Sequence, residues 1–269
     1  MTEITASLVK ELRDATGAGM MDCKRALQEM NGDLEAAKRL LRERGMASAG
    51  KRAGRETTEG LVGYRIADGR GTMVAVGSET EPVSNTAEFQ AFAKKVLDTV
   101  EAEGPDAVET LDQERTELIA SLGENIVVTG AERYDTSNGQ VLEGYVHPPA
   151  NKIGVLVLLD GGTPELARQL AMHVSFAAPE WASRGDVPAD AIEAERDIYL
   201  NSDEVKSKPE AAREKIVDGM LNKRFFAASP GGVLTDQAWI HDASKTVGQA
   251  LSEAGASVAA FRRLSVSGS

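Results

Sequence analysis

The chain has 269 residues, 42% hydrophobic and 27% charged, a composition that supports a packed globular protein of two or three modest domains. Its formal net charge of −12 argues against direct nucleic-acid binding, which needs a basic field, and the single cysteine, Cys23, excludes an internal disulfide and a four-cysteine zinc site. His147, His173 and His241 lie far apart without metal-ligand spacing, and no apolar run approaches the roughly 18 residues needed to cross a bilayer, so a cytoplasmic protein with no metal and no membrane partner is expected.

The first 45 residues read as three short helices. Thr5 or Ser7 can cap the first, whose apolar positions Leu8, Val9, Leu12 and Ala15 follow helical spacing. Gly17-Ala18-Gly19 breaks it. A second helix presents Met20, Cys23, Ala26, Leu27 and Met30 on one face and ends at Asn31-Gly32. Asp33 caps a third, with Leu34, Ala37, Leu40 and Leu41 inward and Gly45 stopping it. Helices this short must pack as a bundle. The polar stretch Ala47–Glu59 reads as a linker.

The period then changes. Leu61–Ile66 and Thr72–Gly77 flank Asp68-Gly69-Arg70-Gly71, a hairpin signal. After Thr80–Ser84 comes a helix with Phe89, Phe92, Ala93, Val96 and Val100 on one face, then a linking segment with Leu111, Leu118 and Leu122, then a strand around Asn125–Thr129. The order recurs: Val141–His147 and Lys152–Asp160 form a second hairpin and Pro164–Ala177 its helix, lined by Leu166, Leu170 and Val174. This repetition suggests an internal duplication. Pro188–Asn201 and Pro209–Phe226 read as a projecting helical hairpin, with Pro209 at a first helical position. A helix with Val247 and Leu251 and a strand over Ala256–Val266 close the chain. The expected class is α+β with antiparallel sheets, divided into a helical module and linker (1–55), a first α+β subdomain (56–140) and a second (141–269) that carries the hairpin 188–226.

Four segments resemble the bacterial elongation factor Ts family: ITASLVKELRDATGAGMMDCKRAL (4–27), Glu79-Thr80-Glu81-Pro82-Val83 with EFQAFAKKVLD (88–98), IGVLVLL (153–159) with LARQLAMHV (166–174), and KPEAAREKIVDGML (208–221) followed by KTVGQALSEAG (245–255). The blocks stand in family order over essentially the whole chain. The resemblance implies an N-terminal module like a ubiquitin-associated domain and two related α+β subdomains. It implies a guanine-nucleotide exchange factor that promotes release of GDP from elongation factor Tu and binds its nucleotide-free or GDP form. It also implies that the factor is not an enzyme and has no cofactor of its own. In the family the N-terminal module docks on the nucleotide-binding domain of Tu, and a Thr-Asp-Phe-Val segment wedges beside its magnesium and phosphate site.

This chain departs from the family at that wedge, which here reads Thr80, Glu81, Pro82 and Val83. Glu81 keeps the carboxylate and moves it by one methylene. Pro82 replaces a ring that buries about 150–250 Å², lacks an N–H, and favours an extended residue before it. The segment is either a working but altered wedge or only a strand-to-helix turn. If the wedge is weakened, the chain becomes a Ts paralogue that binds Tu as a holding or chaperone partner. Met20 and Met21 are the candidate contacts of the N-terminal module, since methionine adapts to protein surfaces; one is expected in the core and one exposed. Cys23, His147 and His173 are expected in structural roles. The hairpin 188–226 is either a solvated face or a contact arm. Residues 1–55 carry 11 Lys and Arg against 8 Asp and Glu, and the remainder 19 against 34. That split suits docking onto an acidic partner, and suits solubility equally.

Overall fold

The computed structural model describes residues 4–16, 18–52 and 54–268; Gly17, part of the expected helix break, lies outside them. Three helices open the chain, α1 (Ala6–Thr16), α2 (Met20–Glu29) and α3 (Leu34–Arg52). The Thr5 hydroxyl accepts the Leu8 N–H at 3.3 Å and the Asp33 carboxylate accepts the Ala36 N–H at 3.0 Å, so two helix starts have their loose donors capped. Val9, Leu12, Cys23, Ala26, Leu27 and Ala37 are buried together as the core of the bundle.

Two expectations are corrected here. Met20 is not on the buried face: it is 58% exposed, because it starts α2 and its side chain leans back past the first turn, where no element covers it. Nor does α3 stop at Gly45. It runs on to Arg52, so the helix absorbs half of the expected linker. Gly45 sits where α3 crosses the helix Asp112–Leu122, and a Cβ there would overlap that of Ala120. The glycine serves a close approach and leaves the helix unbroken.

Strands β1 (Glu59–Ala67) and β2 (Arg70–Ser78) form a hairpin in which Asp68 and Gly69 take φ values of 51° and 76°. A two-residue turn of this hand requires two positive φ values, and Asp-Gly tolerates them. A single helical turn, α4 (Glu81–Ser84), precedes α5 (Ala87–Glu103), which buries Phe89, Phe92, Ala93, Val96 and Val100 as its spacing implied. The expected linking segment is ordered instead as a 3₁₀ stretch, Pro105–Leu111, and α6 (Asp112–Leu122). Only Ile119 of α6 is buried, because the helix touches the sheet on one side and α3 on another, so its apolar stripe is broken. β3 (Ile126–Asp135) completes an antiparallel sheet in the order β1-β2-β3.

The second unit follows the same path. β4 (Gln140–Val146) and β5 (Ile153–Asp160) are a hairpin, α7 (Pro164–Ala177) follows, and the last strand lies beside β5. Between α7 and that strand come α8 (Ala189–Asn201), α9 (Asp203–Lys206), α10 (Glu210–Met220), a π-helical turn Leu221–Phe226, the short strands β6 (Ala238–Trp239) and β7 (Asp242–Thr246), and α11 (Val247–Glu253). β8 (Ser257–Ser265) gives the sheet order β4-β5-β8. Pro209 stands one residue before α10, at its N-cap, and not at its first helical position.

The two sheets pack face to face, with α5 behind the first and α7 behind the second. In β2, Val74 and Val76 face α5 while Met73 and Ala75 meet Leu156 and Leu264 of the other sheet. In β5, Val155, Val157 and Leu159 face α7. Central strands buried on both faces read as continuous apolar runs because both residue sets of their two-residue period are covered. Each large side chain so buried contributes roughly 1.5–3 kcal/mol. Glycine lets the sheets approach: a Cβ at Gly154 would collide with Val62 and lie 3.0 Å from Met73 Sδ. Gly154→Val is therefore expected to lose about 1–3 kcal/mol by overpacking, a drop of several degrees in Tm by circular dichroism. Gly219→Ala, in α10 with nothing within 4 Å of the new Cβ, should leave Tm unchanged or raise it.

The helices α8 to α10 close over a core of their own, with Tyr199, Val205, Val217, Met220, Leu221 and Phe226 buried together. Across them Arg196 reaches Glu214 at 2.9 Å and Asp218 at 2.6 Å.

Candidate partner-binding site

The residues at 80–83 lie just beyond the end of β2, where the chain turns towards α5. Thr80 is extended (φ −131°, ψ 152°) and stands at the N-cap position of α4 without a side-chain cap bond. Glu81 is the first residue of that turn and Pro82 the second, so the extended residue expected before the proline falls one position earlier than Glu81. Proline at the start of a helix loses nothing, since the N–H it lacks has no partner there. The turn closes through Ser84 N–H to the Thr80 carbonyl at 3.3 Å and Asn85 N–H to the Glu81 carbonyl at 3.2 Å. The Ser84 hydroxyl donates to the Glu81 carbonyl at 2.8 Å, and the Thr86 hydroxyl to that of Val83, also at 2.8 Å.

Side-chain placement divides the four residues. Val83 is half-buried and packs on the core between α5 and the first sheet. Thr80, Glu81 and Pro82 are exposed. The Glu81 carboxylate has no hydrogen bond or ion pair with any other described residue, whereas Glu79 accepts the Asn125 N–H at 2.7 Å and pairs with Arg55 at 3.3 Å. Thr80 donates its N–H and its hydroxyl to the two oxygens of Glu124, at 2.9 and 2.6 Å. The outcome is a rigid turn with Val83 rooted and a free carboxylate at its start. Nothing in the local sequence marked Glu124 as part of this site; it lies just past α6, in the connection to β3, and meets Thr80 through the pairing of β2 with β3.

Met20 and Met21, the other candidates, are both exposed, at 58% and 64%. The expectation that one of them is core is corrected. They sit at the start of α2, on the bundle. Cys23 is fully buried, and burial pushes its thiol pKa up, which suits packing over reactivity.

Of the histidines, His173 is built into the core and His147 lies at the surface. The His147 ring meets the Tyr145 hydroxyl at 2.9 Å on the surface. His173 is fully buried, its Nε2 3.0 Å from the Gln237 side-chain oxygen, its Nδ1 accepting the Ile240 N–H at 3.4 Å, and its ring stacked on Trp239. Gln237 in turn donates to the carbonyls of Ala177, Ala228 and Gly231, tying the end of α7 to the loops around it. One nitrogen donating and one accepting is the pattern of a neutral ring. Burial, then its bond to Gln237, then nearby His241 act on His173, and the net effect lowers its pKa. A depressed folded pKa means stability present above the unfolded value of about 6.5 and lost as pH falls through the folded one. Tm is expected to be level from pH 8 to 7 and to fall below about pH 6.5, and His173→Gln should flatten that fall; equal slopes in the two proteins would contradict it.

Among the described residues, no group of three or more His, Cys, Asp or Glu is placed to hold a metal ion, and no helix is long and apolar enough to cross a membrane.

A family model described as Elongation factor TS matches residues 79–268. The chain is 42% identical over 270 residues to Elongation factor Ts of Actinobacillus succinogenes, covering 99% of this chain and 92% of that protein. It is 42% identical over 272 residues to Elongation factor Ts of Photorhabdus laumondii, with 99% and 93% covered. Against Elongation factor Ts of Serratia proteamaculans it is 41% identical over 270 residues, again covering 99% of this chain and 92% of that protein.

Proposed function

The chain belongs to the elongation factor Ts family, and from that premise we propose that it is the guanine-nucleotide exchange factor of a cognate elongation factor Tu. Exchange is a linkage between two ligands of one protein. A factor that binds nucleotide-free Tu more tightly than Tu·GDP speeds GDP loss, and GDP weakens the factor's binding by the same ratio. Magnesium bridges the nucleotide phosphates and neutralises their charge, so a carboxylate brought beside it competes for the ion and raises the energy of bound GDP. No covalent bond changes, and the factor needs no nucleophile, acid, base or cofactor of its own.

The observation that supports this reading best is the turn 80–83, which holds the unpaired Glu81 carboxylate clear of the fold on a rooted base. In this reading Thr80, Glu81, Pro82 and Val83 enter beside the magnesium site of Tu. Met20 and Met21 dock the N-terminal module (1–55) on its nucleotide-binding domain. The first subdomain (56–140) carries the wedge, and the second (141–269), with the hairpin 188–226, grips elsewhere. The working compartment is the cytoplasm, where translation runs, and neither nucleic acid nor membrane is a direct partner.

Pro82 favours a second reading. With no ring to fill a pocket on Tu, the chain binds Tu as a holding or chaperone partner, with or without GDP, and does not speed exchange. Gel filtration with Tu separates the two. An exchange factor should form a one-to-one complex that excess GDP dissolves, and co-elution indifferent to GDP favours the holding partner.

A further inference from the structure

The last pair of the β2–β3 ladder is Ser78 with Ile126. Beyond it two carboxylates continue the exchange that backbone carbonyls made before. Glu79 accepts the Asn125 N–H at 2.7 Å, and Glu124 accepts the Thr80 N–H at 2.9 Å. Glu124 takes the Thr80 hydroxyl as well, at 2.6 Å. That second bond has a consequence for α4. An N-cap threonine ordinarily turns its oxygen to the helix it caps, but Thr80 makes no such side-chain bond. Its hydroxyl is spent on Glu124, so a turn of only four residues, too short to hold itself, is fixed at its start from outside. Glu124 itself is placed by Gly123, which ends α6 in the left-handed conformation (φ 78°).

We propose that Glu124 is the positioning residue of the 80–83 turn, aiming Glu81 by holding Thr80 on both its N–H and its hydroxyl. The inference rests on the reading of that turn as a wedge. It touches neither nucleotide nor metal; it acts through Thr80. Without it, Thr80 keeps only the bonds to its carbonyl, from the Ser78 hydroxyl at 3.2 Å and the Ser84 N–H at 3.3 Å; its N–H and hydroxyl are released, and the Glu81 carboxylate spreads over several positions, of which few reach the partner's ion. Ordering the turn then falls to the bound complex, and the maximal rate suffers while the wider docking surface is unaffected.

The test is GDP release from Tu as a function of factor concentration, for wild type, Glu124→Ala, Glu124→Gln, Thr80→Val and Glu81→Ala, with Tm recorded for each. Glu124→Ala, which loses both bonds, should lower the maximal release rate at least about tenfold and change the half-saturating concentration by less than about threefold. Glu124→Gln, which still accepts the Thr80 N–H and can donate to its hydroxyl, should restore most of the rate. Thr80→Val, which keeps the shape and loses only the hydroxyl bond, should fall between. If Glu124→Ala releases GDP at the wild-type maximal rate while Glu81→Ala is slow, the positioning role is wrong and the wedge stands. If neither variant is slow, both fail. A loss in Glu124→Ala that follows Tm, and that glutamine does not rescue, would reduce Glu124 to a stability residue and overturn the inference.

Discussion

Replacing Glu81 by alanine is expected to slow GDP release from cognate elongation factor Tu by about ten- to a hundredfold at saturating factor. A lost interaction with a charged group is worth about 1.5–3 kcal/mol, and each 1.36 kcal/mol is about a factor of ten in rate. Stability should not move, because the side chain is exposed and has no bond to another described residue. The companion variant is Pro82→Phe. A ring at this position adds contact area worth at most a few kcal/mol at roughly 25 cal/mol per Å², at the second residue of a turn whose backbone accepts phenylalanine. With Tu from an unrelated source the ring should speed release. With a Tu co-adapted to proline it should do less, or harm, and the difference measures how far the pair has diverged. If Glu81→Ala releases GDP at the wild-type rate, residues 80–83 are a structural turn and no more.

The second large effect belongs to the N-terminal module. Removing residues 1–55 is expected to raise the Kd for nucleotide-free Tu by at least about thirtyfold, the loss of one strong contact cluster. The fold itself complicates this deletion. α3 continues to Arg52, lies against α6 with Gly45 over Ala120, and is tied there by the ion pair of Arg42 with Glu117. Deleting the module therefore uncovers a face of α6 and should lower Tm of the remainder by a few degrees without unfolding it, about 2–4 °C per kcal/mol at this size. Gly45→Leu is the cleaner variant. It keeps every residue and forces α3 away from α6, so Tu binding should weaken while the bundle stays folded. A remainder that shows no cooperative transition by circular dichroism would mean that the bundle is part of the core.

The legible and illegible parts of this chain differ in where their information lies. Asp68-Gly69 announced its turn because two positive φ values are tolerated by few residue pairs, and α5 and α7 announced themselves because one face of each is buried against a sheet. Their signals are local. The end of α3 is hidden because a glycine at a helix crossing looks in sequence like a glycine at a helix stop, and α6 because only Ile119 of it is buried. Met20 carried the right periodicity but stands at a helix end, where periodicity no longer implies cover. β6 has two residues, too few for an alternation, and β7, five long, is exposed over its first three residues and has no apolar face to alternate. At the candidate site, residues 80–83 were visible through their likeness to a family segment. Glu124 was not, since it lies 44 residues away and only the β2–β3 register brings it to Thr80.

The central claim is that this chain accelerates nucleotide loss from Tu, and one measurement addresses it directly. Tu from the same source is loaded with fluorescent GDP, mixed in a stopped-flow instrument with excess unlabelled GDP, and followed with rising concentrations of the protein. The account predicts a release rate that climbs with the protein and saturates at least about a hundredfold above the intrinsic rate, a barrier lowered by roughly 3 kcal/mol. A release rate that stays at its intrinsic value while the protein binds nucleotide-free Tu would contradict it, and would leave a holding partner in its place.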